Sequence, residues 1–227
     1  MGIKRILFIT TTLMLSMMIA TPALAKKNLP AINDEGMELI KDSKMTTIYA
    51  DPNADLGIYN RIWLKPATVA FKKNWQRDQN RSNAMKVRTK DMEKIQQDIA
   101  TLFGDVFAKE LVDGGYELVE EVGDDVLIVV PAIVDLDVIA PDIQHASRSY
   151  TFSESAGEMT LKFELFDSVT NDMIAKATDR KRDFERGYVE WRTSVSNRAV
   201  AKRFMKIWAK ALKSTLDDAK SSTGNSK

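Results

Sequence analysis

The chain has 227 residues, with 33 basic and 32 acidic side chains, a formal net charge of +1 and no cysteine. Balanced charge argues against a dedicated nucleic-acid binder, and the lack of thiols excludes disulfides, cysteine nucleophiles and thiolate metal sites. Stability must come from a buried core, for which a chain of this length suffices.

Residues 1–25 read as a signal peptide. Lys4 and Arg5 precede a predominantly apolar run of 15 residues over 6–20, a length that suits a signal-peptide core and falls short of a membrane span. Pro22 breaks the run, and Ala23 and Ala25 then place small side chains at the minus-three and minus-one positions of a signal-peptidase site. Cleavage after Ala25 is the expectation, leaving a periplasmic protein. With no cysteine to carry acyl chains there is no lipid anchor, so membrane contact is expected only during export.

Residues 26–58 hold Pro30, Asp34, Gly36, Pro52 and Gly57 among scattered apolar residues. They read as an extended segment, partly ordered at residues 45–49. Ile62, Leu64, Val69 and Phe71 then predict a strand over 61–71, interrupted or bulged at Pro66. Residues 72–88 are polar, basic and without period, which predicts a loop. Lys72, Lys73, Arg77 and Arg81 surround Trp75 there, and an exposed tryptophan ringed by cations is a candidate surface for an anionic glycan, a lipid headgroup or an acidic protein. A buried ring in an ordinary solvated loop is the plainer alternative.

From Thr89 the recurrence of Met92, Ile95, Ile99, Leu102, Phe103, Val106 and Leu111 predicts a helix, with Asp91 and Glu93 in its first turn and Gly114-Gly115 as its stop. Residues 116–121 form a short strand in this reading, which makes a strand–helix–strand crossover. A turn at 122–125 leads into VLIVVPAIVDLDVI, apolar on both faces at its start as a central strand is, with Pro131 marking a bulge or an edge. Residues 158–166 alternate strictly, SVTND turns the chain, and residues from 173 complete an antiparallel hairpin. The last helix spans 197–218, with Ser196 as its candidate cap. Val200, Phe204, Ile207, Trp208, Ala211, Leu212 and Thr215 share one sector, opposite Lys202, Lys206, Lys210 and Lys213. The lysine side suits anionic lipid, although a helix that covers a sheet shows the same pattern. Residues 219–227 read as a disordered tail.

Chemistry-bearing residues are few. Asp135 and Asp137 are two apart on a strand, which places both carboxylates on one face; with Asp142 they suit Ca²⁺ or the acid–base pair of a glycoside hydrolase. A solvent-facing strand carries the same pattern without any function. Glu120, Glu121, Asp124 and Asp125 form an acidic turn without the ligand spacing of a calcium loop, and the lone His145 has no second nitrogen or sulfur ligand beside it in sequence. No glycine-rich phosphate loop or hydrolase motif occurs, so no cofactor is expected.

RIWLKPATVAFKKNW, VLIVVPAIVDLDV, FELFDSVTNDMIAKATDRKRDF and VEWRTSVSNRAVAKRFMKIWAKALKSTLDD together resemble the bacterial envelope proteins grouped as domain of unknown function 3313, over residues 45–218. The resemblance implies, in order, an aromatic-rich strand end, a helix, a hairpin turning on Asp-Ser and a tryptophan-bearing final helix. Trp75, Asp167, Ser168, Trp191 and Trp208 are the positions that match. The family motifs carry no catalytic meaning, and Asp167 and Ser168 are expected to form the turn through side-chain hydrogen bonds. Family members are commonly predicted lipoproteins, whereas Ala25-Lys26 stands here where an acylated cysteine would be.

The expected architecture is therefore a single α+β domain over residues 59–218: a largely antiparallel sheet of about five strands with two long helices on one face. The expected function is that of a non-enzymatic envelope accessory or interaction module with an envelope protein, glycan or lipid as partner. A carboxylate-dependent glycan hydrolase using Asp135, Asp137 and Asp142, and a binder of lipid or another apolar ligand between sheet and helices, are the alternatives.

Overall fold

The computed structural model describes residues 29–224 apart from 42, 83–85, 139–150, 154–156, 184–189 and 193. Strands β1 (Glu38–Leu39), β2 (Thr47–Ala50), β3 (Arg61–Leu64) and β4 (Thr68–Phe71) lead into helices α1 (Trp75–Ser82) and α2 (Thr89–Val112). Strands β5 (Glu117–Leu118), β6 (Val126–Val138), β7 (Thr151–Ser153), β8 (Gly157–Asp167), β9 (Met173–Arg182) and β10 (Glu190–Arg192) follow, and α3 (Ser194–Gly224) closes the chain.

Among the described residues the main sheet has eight strands, in the order β1-β2-β9-β8-β6-β3-β5 with β4 also on β6. It is larger and more mixed than the sequence predicts. The β1-β2-β9-β8-β6 half is antiparallel, whereas β3 and β4 both run parallel to β6, and β5 runs parallel to β3. The parallel pairing of β3 and β5 is what the α2 crossover requires. The stretch read as an extended segment supplies β1 and β2, which join the far edge of the sheet through β9. A separate two-stranded ribbon pairs β7 with β10, setting Trp191 opposite Phe152.

Strand β6 explains its own composition. It is flanked by β8 along one side and by β3 and β4, end to end, along the other, so Val126, Leu127, Val129 and Ile133 are fully buried. The Val129 carbonyl accepts from the Lys65 amide at 2.9 Å, so peptide groups of that parity face the β3–β4 side. Pro131, two residues on, directs its missing N–H at the gap that Pro66 opens between β3 and β4. The bulge comes later: register shifts between Val134 and Asp137, with Asp135 at φ +52°.

The inner face of the sheet carries Ile62, Leu127, Val129, Ile133, Leu161, Phe163 and Leu165. Against it α2 presents Leu102, Phe103, Val106, Phe107 and Leu111, and α3 presents Phe204, Met205, Trp208, Leu212 and Leu216. Burying each such side chain stabilises the fold by about 1.5–3 kcal/mol. Phe107 meets Phe163 edge-on with centroids 5.4 Å apart and stacks on Phe103 at 4.0 Å, joining α2 to β8. The two long helices thus share one face. Helix α2 stops where its sequence says: Gly115 takes φ +89°, and the Tyr116 amide donates back to the Leu111 carbonyl at 3.1 Å.

Two further expectations need correction. The basic stretch after β4 is helical, because Trp75 anchors α1: it is only 3% exposed, stacks on Phe71 at 4.2 Å and donates its indole N–H to the Val138 carbonyl at 3.2 Å. At the other end, α3 continues through Gly224 where a tail was expected. The Ser221 and Ser222 hydroxyls donate to the Asp217 and Asp218 carbonyls, each at 2.9 Å, inside that final stretch.

Candidate interaction surface

Strand alternation and its interruption decide where the polar residues fall. On β9 the inner-face positions include Ala175, Ala177 and then Asp179, opposite Leu161 of β8. A carboxylate on that face must be hydrogen-bonded to be tolerated. The Asp179 carboxylate accepts from the Thr46 amide at 3.0 Å and hydroxyl at 2.6 Å, from the Trp208 indole N–H at 2.7 Å, and pairs with Lys181 at 2.7 Å. Burial pushes its pKa up, but the Lys181, Thr46 and Trp208 bonds outweigh burial and hold it below the ordinary carboxylate value. Asp183, also buried, pairs with Arg203 of α3 at 2.9 Å. Together these two carboxylates fasten α3 to the sheet. Sequence reasoning did not single them out; a charged residue at an inward position of an alternating strand was the available signal.

The hairpin turn behaves as the family resemblance implies. Asp167 Oδ1 accepts from the amides of Val169 at 2.8 Å and Thr170 at 2.7 Å, and its Oδ2 accepts from the Tyr59 hydroxyl at 2.9 Å. The Thr170 amide leads the effects that hold the Asp167 carboxyl low. Burial and Asp167 push the Tyr59 hydroxyl pKa far above its ordinary value. Ser168, buried, donates to the Gly123 carbonyl at 2.8 Å and accepts the Gly123 amide at 3.0 Å, tying this turn to the one before β6. There Arg61 pairs with Asp125 at 2.6 Å and Glu121 at 3.2 Å.

The fold scatters the candidates that the sequence offers. Ala23, Ala25, Asp142 and His145 lie outside the described residues. A bulge interrupts the alternation between Val134 and Asp137, and Asp135 and Asp137 both act on the Arg180 guanidinium, raising its pKa after the larger effect of Glu158. Asp137 bonds Lys72 at 2.9 Å, and Lys72 also lies 3.7 Å from Glu158. Glu158 pairs with Arg180 at 2.5 Å; burial raises its pKa, and Arg180 with Lys72 and Arg182 more than offsets that. Asp137 and Glu158 therefore sit among cations. Among the described residues no group of three or more His, Asp or Glu side chains is placed to hold a metal ion.

The expected cation-ringed tryptophan is not a single surface. Trp75 turns inward, Lys72 is engaged on the sheet, and Arg77 pairs with neighbouring Asp78 at 3.2 Å, leaving Lys73 and Arg81 exposed beside them. A more continuous basic surface runs along α3. Met205 and Ala209 join Phe204, Trp208 and Leu212 in the core, so Ile207, expected to be inward, is 46% exposed. It lies in a shallow hollow lined by Ala199, Lys202, Arg203, Lys206 and Lys210. Among the described residues no helix is long and apolar enough to cross a membrane.

Comparison with known proteins adds a family and distant structural likenesses. No curated protein matches the chain. A solved PelC dodecamer from Paraburkholderia phytofirmans is 11% identical, with 74% of this chain and 96% of that chain covered and a TM-score of 0.38. Protein XCC0632 from Xanthomonas campestris, of family DUF330, is 12% identical over 78% of this chain and 94% of its own, with a TM-score of 0.42. The model of one family spans residues 33–212, which takes in the whole sheet and most of α3, and the chain belongs to that family, described as Protein of unknown function (DUF3313).

Proposed function

We propose that the protein is an exported, non-enzymatic accessory of the bacterial cell envelope that acts by binding a partner. The observation that carries this reading is the use to which the fold puts its carboxylates. Asp167 sets a turn, Asp179 and Asp183 fasten a helix, and Asp137 and Glu158 are held by Lys72 and Arg180. A general acid needs a carboxyl held above its ordinary pKa. Asp167, Asp179 and Glu158 are all held below theirs.

The glycan-hydrolase alternative needs Asp135, Asp137 and Asp142 gathered at one pocket. Asp135 occupies the bulge and Asp137 is paired with Lys72, which favours binding over hydrolysis. Space for an apolar ligand between sheet and helices is likewise disfavoured by the filling of that interface with Phe103, Phe107 and Trp208, all fully buried.

Export is supported by the pattern of residues 1–25. Fractionation of expressing cells with intact mass of the product tests it, the expectation being a periplasmic species that begins at Lys26. A membrane-bound species that keeps residues 1–25 overturns that location. For the role, cross-linking in intact envelopes followed by capture is expected to recover a reproducible partner, and deletion to weaken the envelope barrier. No cross-linked partner together with an unchanged barrier overturns the accessory reading.

A further inference from the structure

Between residues 197 and 216 the chain carries Arg198, Lys202, Arg203, Lys206, Lys210 and Lys213 and no acidic residue. All six lie in the helical stretch whose other side packs on the sheet. Three are partnered by carboxylates: Arg203 by Asp183 at 2.9 Å, Lys206 by Glu110 at 3.6 Å and Lys213 by Asp217 at 2.5 Å. Arg198, Lys202 and Lys210 are exposed and have no carboxylate partner among the described residues. Helix α2 is built differently, with Lys94–Asp98 at 2.6 Å and Lys109–Asp113 at 2.7 Å neutralising its outward side within the helix.

We infer that the outward side of α3 is a docking surface for the anionic headgroups of a phospholipid bilayer. The cations are strung along the helix rather than gathered in a cleft: Lys202 and Lys210 are about 12 Å apart along its axis. Such a row complements an extended anionic plane and makes a poor cage for one small anion. Ile207, exposed in the hollow between Lys202 and Lys210, supplies an apolar side chain at the boundary where headgroups meet acyl chains. Arg203, in the same hollow, is held by Asp183, so the cations free to meet a bilayer there are Lys202 and Lys210, with Arg198 one turn before them. Contact of this kind is peripheral and reversible, because the remainder of the apolar side of α3 is committed to the core. The inference rests on the binding role proposed above and names its partner class.

The test uses the protein as purified from expressing cells, its N-terminus fixed by intact mass, in co-sedimentation with vesicles. The expected result is binding to phosphatidylglycerol–phosphatidylcholine vesicles, weakened by salt, and much weaker binding to phosphatidylcholine alone. Each cation neutralised is expected to lower partitioning about fivefold, so Lys202→Gln with Lys210→Gln lowers it about 25-fold. Ile207→Ser lowers it further, and Lys94→Gln on α2 leaves it unchanged. Both altered lysines are exposed, and a thermal melt confirms that the double variant is folded. Equal binding to neutral vesicles, or unchanged binding by the double variant, overturns the inference. So does an absence of vesicle binding when the same two substitutions abolish capture of an acidic protein in cross-linked envelopes. An absence of vesicle binding with envelope capture intact removes only the lipid assignment; loss of envelope capture and of any barrier defect removes the accessory role itself.

Discussion

Helices α2 and α3 do the same work on their inner sides and different work on their outer sides. Each lays a stripe of large apolar residues on the sheet. On its outer side α2 alternates charge, with Lys94–Asp98 and Lys109–Asp113 at i,i+4 spacing, whereas α3 runs through six cations before its first acid. Core packing accounts for the inner stripes of both. It places no demand on the outer charges, so the asymmetry between the helices is a property of the surface and not of the fold.

The largest test of the shared part is truncation in the core. Trp208→Ala on α3 and Phe107→Ala on α2 are each expected to cost about 3–5 kcal/mol in denaturant unfolding. A much smaller loss for Trp208 breaks the equivalence of the two inner stripes. The helices differ next in how they are fastened, since α3 alone is held by the buried Asp179 and Asp183. Asp179→Asn is expected to cost about 1–3 kcal/mol at neutral pH. The folded pKa of Asp179 is depressed, so its contribution is present above the ordinary value of 3.8 and is lost as pH falls through the lower folded value. Unfolding midpoints measured on either side of pH 4 should therefore fall less steeply in the variant; an unaltered acid slope removes Asp179 from the account.

The link between the helices gives a smaller effect. The Tyr116 hydroxyl, just past α2, donates to Asp217 of α3 at 2.9 Å. Tyr116→Phe is expected to cost about 1 kcal/mol, read by the same unfolding curves. The outer sides give the smallest effects, and of opposite sign. Lys94→Gln loses an exposed ion pair and destabilises by about 0.3–0.5 kcal/mol, while Lys210→Gln relieves its repulsion with Lys206 and stabilises by a few tenths of a kcal/mol. Two losses of equal size would show that the charge pattern of α3 has no local cost.

What could be read in the sequence follows from the range over which each signal acts. The spacing of Ile95, Ile99, Leu102, Phe103 and Val106 and the alternation from Met159 to Leu165 are local, and both elements form where the pattern places them. Pro66 was legible as an interruption, and Asp167 and Ser168 as turn residues. Strands β1 and β2 were not, because two and four residues carry no period and their sheet position is set by β9. Helix α1 escaped because its one large apolar residue, Trp75, gives no repeat. The bulge at Asp135 was not legible either, because alternation carries no signal for one extra residue. Ile207 was assigned inward since a helical sector read from one chain does not say which edge of it the neighbouring residues Met205 and Ala209 will claim.

The pairing of β2 with β9 has a consequence for the order in which the molecule can assemble. The Thr46 amide and hydroxyl meet Asp179 across 133 residues of sequence. A chain that grows or emerges from its N-terminus carries β2 paired with β1 alone, its other edge open until β9 has appeared. The unpaired edge and the cost of closing so long a loop make the finished sheet a late event, reached slowly and only once β9 has been made.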